Sequence, residues 1–212
     1  LFFGIEWMKT VNINYENYFG RGRFCDKIVN SKIMIIGIGA IGSVLAEILV
    51  RGGIKDLYLL DNDIVEHGNI CRSYYQFTSV GKSKTMTLSQ TLVETSPYIN
   101  VRQLNMNLYS DINYNSKNEI SNFLKQADII FDCTASNELL HCLSILDIEK
   151  SIISLGITNE ARNMICVSNS EDNLFEQRKF FLKQLELDTE NLYYEGIGCY
   201  TPTFRANFAD IN

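Results

Sequence analysis

The sequence predicts an α/β protein: a doubly wound, Rossmann-like, mostly parallel sheet with helices on both faces. Three observations carry that prediction. Strand-sized apolar runs alternate with segments of helical period. The first run ends in Gly37-Ile38-Gly39-Ala40-Ile41-Gly42, a G-x-G-x-x-G turn that opens a helix. The next run ends in an acid, Asp61, nineteen residues beyond Gly42.

The elements follow in order. Residues 1–30 are irregular and aromatic-rich (Phe2, Phe3, Trp7, Tyr15, Tyr18, Phe19, Phe24) and read as a packing arm or the tail of a preceding domain. Lys32–Ile36 is β-branched and apolar, as suits a strand buried on both faces. Ile41, Val44, Leu45, Ile48 and Leu49 recur at i, i+3, i+4, i+7, i+8, which predicts a helix that buries that face. Gly52-Gly53 ends it, because glycine accepts a left-handed cap. Asp56–Leu60 is the second strand, and a polar loop (62–80) leads to a helix near Ser83–Glu94. Val101–Leu108 reads as a strand, Lys117–Gln126 as a helix, Asp128–Asp132 as a buried strand and Asn137–Ile148 as a helix. Ser151–Leu155 and Asn163–Val167 are further strands, and residues 170–192 show helical periodicity at Leu174, Phe181 and Leu185.

Composition narrows the function. The chain has 212 residues, 46% hydrophobic and 21% charged, which excludes a disordered chain. A net charge of -6 gives no global basic field, so nucleic acid is not an expected partner. No apolar run approaches the ~20 residues of a membrane span, and no charged n-region precedes a signal-like apolar segment, so secretion is not expected. Cys25, Cys71, Cys133, Cys142, Cys166 and Cys199 form no C-x-x-C pair, so no structural zinc is expected. Free thiols suit a reducing cytoplasm. The chain starts at Leu1 and ends at Asn212 without a helix stop, so a longer product is expected.

The glycine turn has a physical reading. Gly37 allows the tight turn, Gly39 lets the backbone approach a phosphate or ribose, and Gly42 permits close helix–strand packing. The helix start offers unpaired N–H groups to an anion. A carboxylate at Asp61 accepts hydrogen bonds from ribose hydroxyls. The turn therefore indicates an adenine nucleotide without separating a nicotinamide dinucleotide from ATP.

The next segment separates them. After Asp61 come Asp63, Asn69, Arg72, Lys82 and Lys84. A pyrophosphate already neutralised by a helix end needs no cations there. A triphosphate needs planar Arg and point-charge Lys donors around it. In this order, G-x-G-x-x-G, D-x-D, N-x-x-R and G-x-x-K, the chain resembles the ThiF/MoeB/HesA family and the adenylation domain of ubiquitin-activating enzymes, over roughly residues 32–167.

The resemblance implies that ATP binds with magnesium and that a carboxylate attacks its α-phosphate to form an acyl-adenylate. That carboxylate is usually the C-terminus of a ubiquitin-like or other small carrier protein. By the same resemblance Asp61 holds the ribose, Asp63 sits near nucleotide or metal, Asn69 and Arg72 contact phosphates, and Lys84 binds the triphosphate. Lys82 is adjacent, with a weaker match. Arg21 or Arg23 is a candidate for an arm arginine supplied across a homodimer interface. A conjugating-enzyme-like partner and an antiphage-defence setting are also implied. The organisation becomes an arm (1–30), an adenylation domain (31–169) and a crossover or C-terminal segment (170–212).

One departure stands out. Many members carry D-C-T-D-N after the fourth core strand, with the second aspartate on magnesium. This chain reads Asp132-Cys133-Thr134-Ala135-Ser136-Asn137, which leaves Asp132 as the metal candidate. A non-catalytic docking module of the same family is thus the alternative, and a nicotinamide-dependent oxidoreductase a more distant one. Cys199, between Gly198 and a loop with Pro202, is the candidate acyl acceptor or a plain loop cysteine. Cys133 is expected to be buried and inert. Cys71 is an incidental neighbour of Arg72, and His67 and His141 have no evident role.

Overall fold

The computed structural model describes residues 8–104, 117–145, 148–158, 162–170 and 173–187. Its strands are β1 (Lys32–Ile36), β2 (Asp56–Leu60), β3 (Asn100–Leu104), β4 (Ile129–Asp132), β5 (Ser151–Thr158) and β6 (Asn163–Ser168). They form one sheet in the order β3-β2-β1-β4-β5-β6. The first five are parallel, and β6 closes one edge antiparallel to β5. The expected doubly wound, mostly parallel sheet is therefore the fold observed.

The alternation of side chains explains the two faces. Ile33 and Ile35 point into one core with Leu57 and Leu59, whereas Met34 and Ile36 point into the other with Tyr58, Leu60 and Ile130. Both faces need cover, so the central strands are apolar throughout. The helices that supply it are α3 (Ala40–Arg51) and α4 (Lys84–Thr95) on the first face. On the second lie α5 (Lys117–Leu124), α6 (Asn137–Ile145) and α7 (Leu174–Leu187). Two four-residue helices, α1 (Tyr15–Tyr18) and α2 (Asp26–Val29), precede β1.

The inward face of α3 differs from the one its apolar period predicts. Gly42, Ser43, Ala46, Leu49 and Val50 are buried, while Val44 is 39% and Ile48 51% exposed. The cause is the glycine turn. A Cβ at Gly42 would stand 2.0 Å from the Gly37 carbonyl oxygen, so the helix can sit this close only with small residues inward. Ser43 then donates to the Gly39 carbonyl at 2.6 Å and accepts from the Tyr74 N–H at 2.9 Å. At the other end, the Gly53 N–H donates to Val50 and the Ile54 N–H to Leu49, a left-handed closure with Gly53 at φ 90°.

Other boundaries shift modestly. Ser83 caps α4 rather than starting it, and β5 runs three residues past Leu155. The strand expected to reach Leu108 is described only to Leu104, and residues 105–108 lie outside the described residues.

The arm packs against the edge of the sheet opposite the glycine turn. The rings of Tyr15, Tyr18 and Phe19 cluster with Tyr98, which precedes β3. The Tyr18 hydroxyl donates to Thr95, the Tyr15 hydroxyl donates to Gly53, and the Phe24 N–H donates to Gly52.

Candidate functional site

The strand order creates the site. The chain steps outward from β1 to β3, then returns to place β4 on the other side of β1. In such sheets a crevice opens at the carboxyl ends of the strands where the order reverses. Ile36 is in register with both Leu60 and Asp132, so three loops leave the sheet at one level. Between them lies a cleft of about 570 Å³, within the ~300–1,000 Å³ usual for small-molecule sites.

One wall is the glycine turn and the loop after β2. Gly37 has φ 79°, and Gly39 faces open space as the N-cap of α3. The Asp61 carboxylate fixes this wall: it accepts from the Ile38 N–H at 2.9 Å and from the Asp63 N–H at 2.9 Å. The buried Tyr75 hydroxyl donates to the Ile38 carbonyl at 2.7 Å. Burial and the charges of Asp61 and Asp63 push that phenol well above its ordinary range, so it stays protonated.

The cations come next. Lys84 opens α4, and the antiparallel bridge between Ile64 and Ser83 folds the intervening loop back onto β2. Its ammonium lies 2.7 Å from Asp63 and 4.0 Å from Asp61, and the residue is 7% exposed. Arg72 reaches the same cleft from beyond the helical turn His67–Asn69, with one N–H donated to the Gly68 carbonyl at 2.7 Å. Asn69 and Glu66 hold that turn as a reciprocal capping box, in which the Glu66 N–H donates to the Asn69 side chain at 2.9 Å. Gly37, Gly39, Asp61, Asp63, Asn69, Arg72 and Lys84 all line one cleft.

Other expected residues do not join them. Lys82 is exposed outside the cleft, and its backbone, not its ammonium, ties the loop to Val65 and Ser79. Gly42 lies behind the turn and serves packing, as its spacing implied. Asp132, expected to hold a metal, does not line the cleft and is fully buried. Its carboxylate accepts from the Thr134 N–H at 3.1 Å, the Thr134 hydroxyl at 2.7 Å and the Ser154 hydroxyl at 2.8 Å. Those three donors satisfy a buried acid without a metal, and they shape the loop above it. Arg21 and Arg23 belong to the arm and line no part of this cleft, and Arg23 pairs with Asp26. Cys199 lies outside the described residues. Cys133 is 6% exposed, and burial, with Asp132 beside it, pushes its thiol up to about 12.

The second wall is the β4–α6 loop: Cys133, Thr134, Ser136, Glu138 and Leu139. Sequence reasoning passed over Glu138. The signal was available, since Ser136-Asn137-Glu138 opens a helix directly after a core strand, where an acid and a serine cap are common. The Ser136 hydroxyl donates to Glu138 at 2.9 Å. Its own backbone N–H, followed by that hydroxyl, holds the Glu138 carboxyl below the usual carboxylate range. Ala135 takes a left-handed backbone, φ 56°.

Comparison with known proteins adds the family. The model of the ThiF family matches residues 12–157. The chain belongs to the ThiF family. Among the relatives of this ThiF chain is the ATP-dependent ubiquitin transferase-like protein Cap2 of Enterobacter hormaechei subsp. hoffmannii (strain UCI 50). It is 31% identical over 214 residues, covering 98% of this chain and 35% of that protein. Ubiquitin-like modifier-activating enzyme 5 of Dictyostelium discoideum is 31% identical over 164 residues, covering 74% and 40%. Among solved structures, E. coli MccB with MccA-N7isoASN has 27% identity and a TM-score of 0.56, covering 64% of this chain and 38% of that one. E. coli MccB with ATP shares the fold at a TM-score of 0.61 and 22% identity, covering 84% and 51%. The chain thus spans 35 to 40% of the length of these two curated relatives. Among the described residues, no helix is long and apolar enough to cross a membrane.

Proposed function

We propose that this ThiF chain binds ATP in the cleft and adenylates a carboxylate, that of the C-terminus of a ubiquitin-like or other small protein. The observation that carries the reading is the convergence of Arg72 and Lys84 on the glycine turn that begins α3. The likeness to an ATP-dependent ubiquitin transferase-like protein and to a ubiquitin-like modifier-activating enzyme supports the same class of reaction.

The residues divide the work. Gly39, without a side chain, leaves room for the nucleotide beside the N–H groups of α3, which favour an anion. Asp61 receives the ribose hydroxyls. A carboxylate oxygen of the substrate attacks the α-phosphorus, the bond from that phosphorus to the bridging oxygen breaks, and pyrophosphate departs with the electron pair. Arg72 and Lys84 neutralise the charge that gathers on the departing group, which is where stabilisation counts most. Lys84 exchanges part of its pairing with Asp63 for the phosphates.

Magnesium fits the cleft's charges. Arg72 and Lys84 face Asp61, Asp63, Glu66 and Glu138, so a polyanion meets net negative walls and needs a divalent cation with it. Of the cleft's exposed carboxylates, Glu138 would hold it, since Asp63 pairs with Lys84 and Glu66 with the Asn69 backbone. When bound, it screens the outer phosphates and stabilises the departing pyrophosphate. Further transfer of the acyl group to the Cys199 sulfur, which breaks the acyl–oxygen bond of the adenylate and releases AMP, and assembly as a homodimer, belong to the same proposal.

The test is ATP–pyrophosphate exchange with a cognate ubiquitin-like partner. Exchange that needs both partner and magnesium supports adenylation. Normal ATP binding without exchange removes catalysis. A second reading, a docking module of the same family, is favoured by the loss of a carboxylate at Ala135. An intact fold that binds no ATP in calorimetry would select it.

A further inference from the structure

Resting on the adenylation reading, we infer that Glu138, not Asp132, is the protein carboxylate that binds the nucleotide's divalent cation. Magnesium at a phosphate site takes one or two carboxylates, and its remaining ligands are phosphate oxygens and waters. The carboxylate it takes must face the cleft and be free to give up electron density. Four carboxylates line this cleft, and three are committed elsewhere.

Asp61 clamps the Ile38 and Asp63 N–H groups, and withdrawing it would open the glycine turn. Asp63 is paired with the Lys84 ammonium at 2.7 Å. Glu66 closes the capping box on the Asn69 backbone. Glu138 differs from all three. No cation pairs with it among the described residues, and its partners are the Ser136 hydroxyl and its own backbone N–H.

The rest of its wall offers no rival oxygen. Asp132 is buried under Thr134 and Ser154. The Ala135 carbonyl already accepts from Arg178 at 3.1 Å, and that guanidinium repels a cation on its side of the loop. The Ser136 hydroxyl orients Glu138 without neutralising it. Glu138 also stands across the switch point from Lys84, since one wall follows β2 and the other β4. A cation held there and the ammonium opposite would grip the phosphates from two sides.

The test measures metal binding directly. Manganese stands in for magnesium, and its affinity is read by electron paramagnetic resonance with a non-hydrolysable ATP analogue bound to the chain. Glu138→Gln should weaken manganese binding by at least the about 10–100-fold that loss of even a supporting outer group costs a metal site. Metal-free analogue binding should be unchanged or tighter, because a negative charge has left the wall. Glu138→Asp should recover part of the manganese affinity. Unchanged manganese affinity in Glu138→Gln would overturn the assignment and leave adenylation standing. Failure of the unaltered chain to bind the analogue at all would overturn both.

Discussion

Arg178 donates a hydrogen bond to the carbonyl of Ala135 at 3.1 Å, joining α7 to the loop that forms one wall of the cleft. Arg178 is 8% exposed, and among the described residues its Nε and Nη1 have no hydrogen-bond partner. Its packing is close, since a Cβ on Gly156 would approach it to 3.3 Å. A buried cation with two orphaned donors is a poor stabiliser, because desolvation offsets the one bond it makes. Arg178→Met is therefore expected to leave unfolding free energy within about 1 kcal/mol of the parent, or raise it. Urea denaturation checks this, and a loss of about 3 kcal/mol or more would show that the guanidinium stabilises the fold.

Ala135 itself is strained. Its φ of 56° costs an L-residue roughly 1–2 kcal/mol, which glycine avoids while losing some chain entropy on folding. Ala135→Gly should raise stability by about 0.5–1 kcal/mol, and Ala135→Val should lower it. Thermal unfolding of the pair gives the comparison, and an unstable glycine variant would contradict it.

The two later glycines of the turn should fail in different ways. Gly42→Ala pushes a methyl to 2.0 Å from the Gly37 carbonyl oxygen, so about 1–3 kcal/mol of stability should be lost. Gly39→Ala meets nothing within 4 Å, so it loses no packing and only about 0.5–1 kcal/mol through the poorer helix cap. Its nucleotide affinity should nonetheless fall, because the methyl enters the space left for the ligand. Unfolding curves and calorimetric titration with ATP, run side by side, separate the two effects.

Lys84→Ala and Arg72→Ala should each abolish detectable pyrophosphate exchange. Removing Lys84 also leaves Asp61 and Asp63 without their cation, so ATP affinity should fall about tenfold or more, or at least 1.4 kcal/mol. Retained exchange in both variants would end the phosphate-clamp account.

Acid stability has a local contributor at the opposite end of the sheet, where β1 and β4 begin. The Lys32 N–H, followed by the Lys150 ammonium, holds the Asp128 carboxyl below its ordinary range. A depressed folded pKa adds stability above the unfolded value near 3.9, and that stability is lost as pH falls through the folded value. Asp128→Asn should thus destabilise the chain at pH 7 and flatten its loss of stability below about pH 4. Urea midpoints at both ends of that range are the measurement.

Much of this molecule is readable from residue order alone, because its physics is local. The run Lys32–Ile36, the turn after it and the acid ending β2 each state their own conformation, and Arg72 and Lys84 follow at fixed spacing. The face of α3 was not readable. Its strongest apolar stripe includes Val44 and Ile48, yet contact with the Gly37 carbonyl puts the small residues inward. That constraint is tertiary and leaves no periodic trace. The surroundings of Asp132 were hidden for a related reason. A carboxylate at a strand end looks available until Thr134 and Ser154 close over it, and Ser154 comes from the neighbouring strand. Glu138 was passed over because it lies outside the D-C-T-D-N pattern, which drew the metal assignment to Asp132.

Gly37 and Thr134 meet where the two halves of the sheet adjoin. A Cβ on Gly37 would fall 2.7 Å from the Thr134 methyl and 3.0 Å from its backbone. The seam is gauged to less than the width of one carbon. A larger residue at position 37 would meet both this seam and the strain of φ 79°, so trimming at position 134 alone cannot admit it. Position 37 should therefore stay glycine through descent whatever stands at position 134.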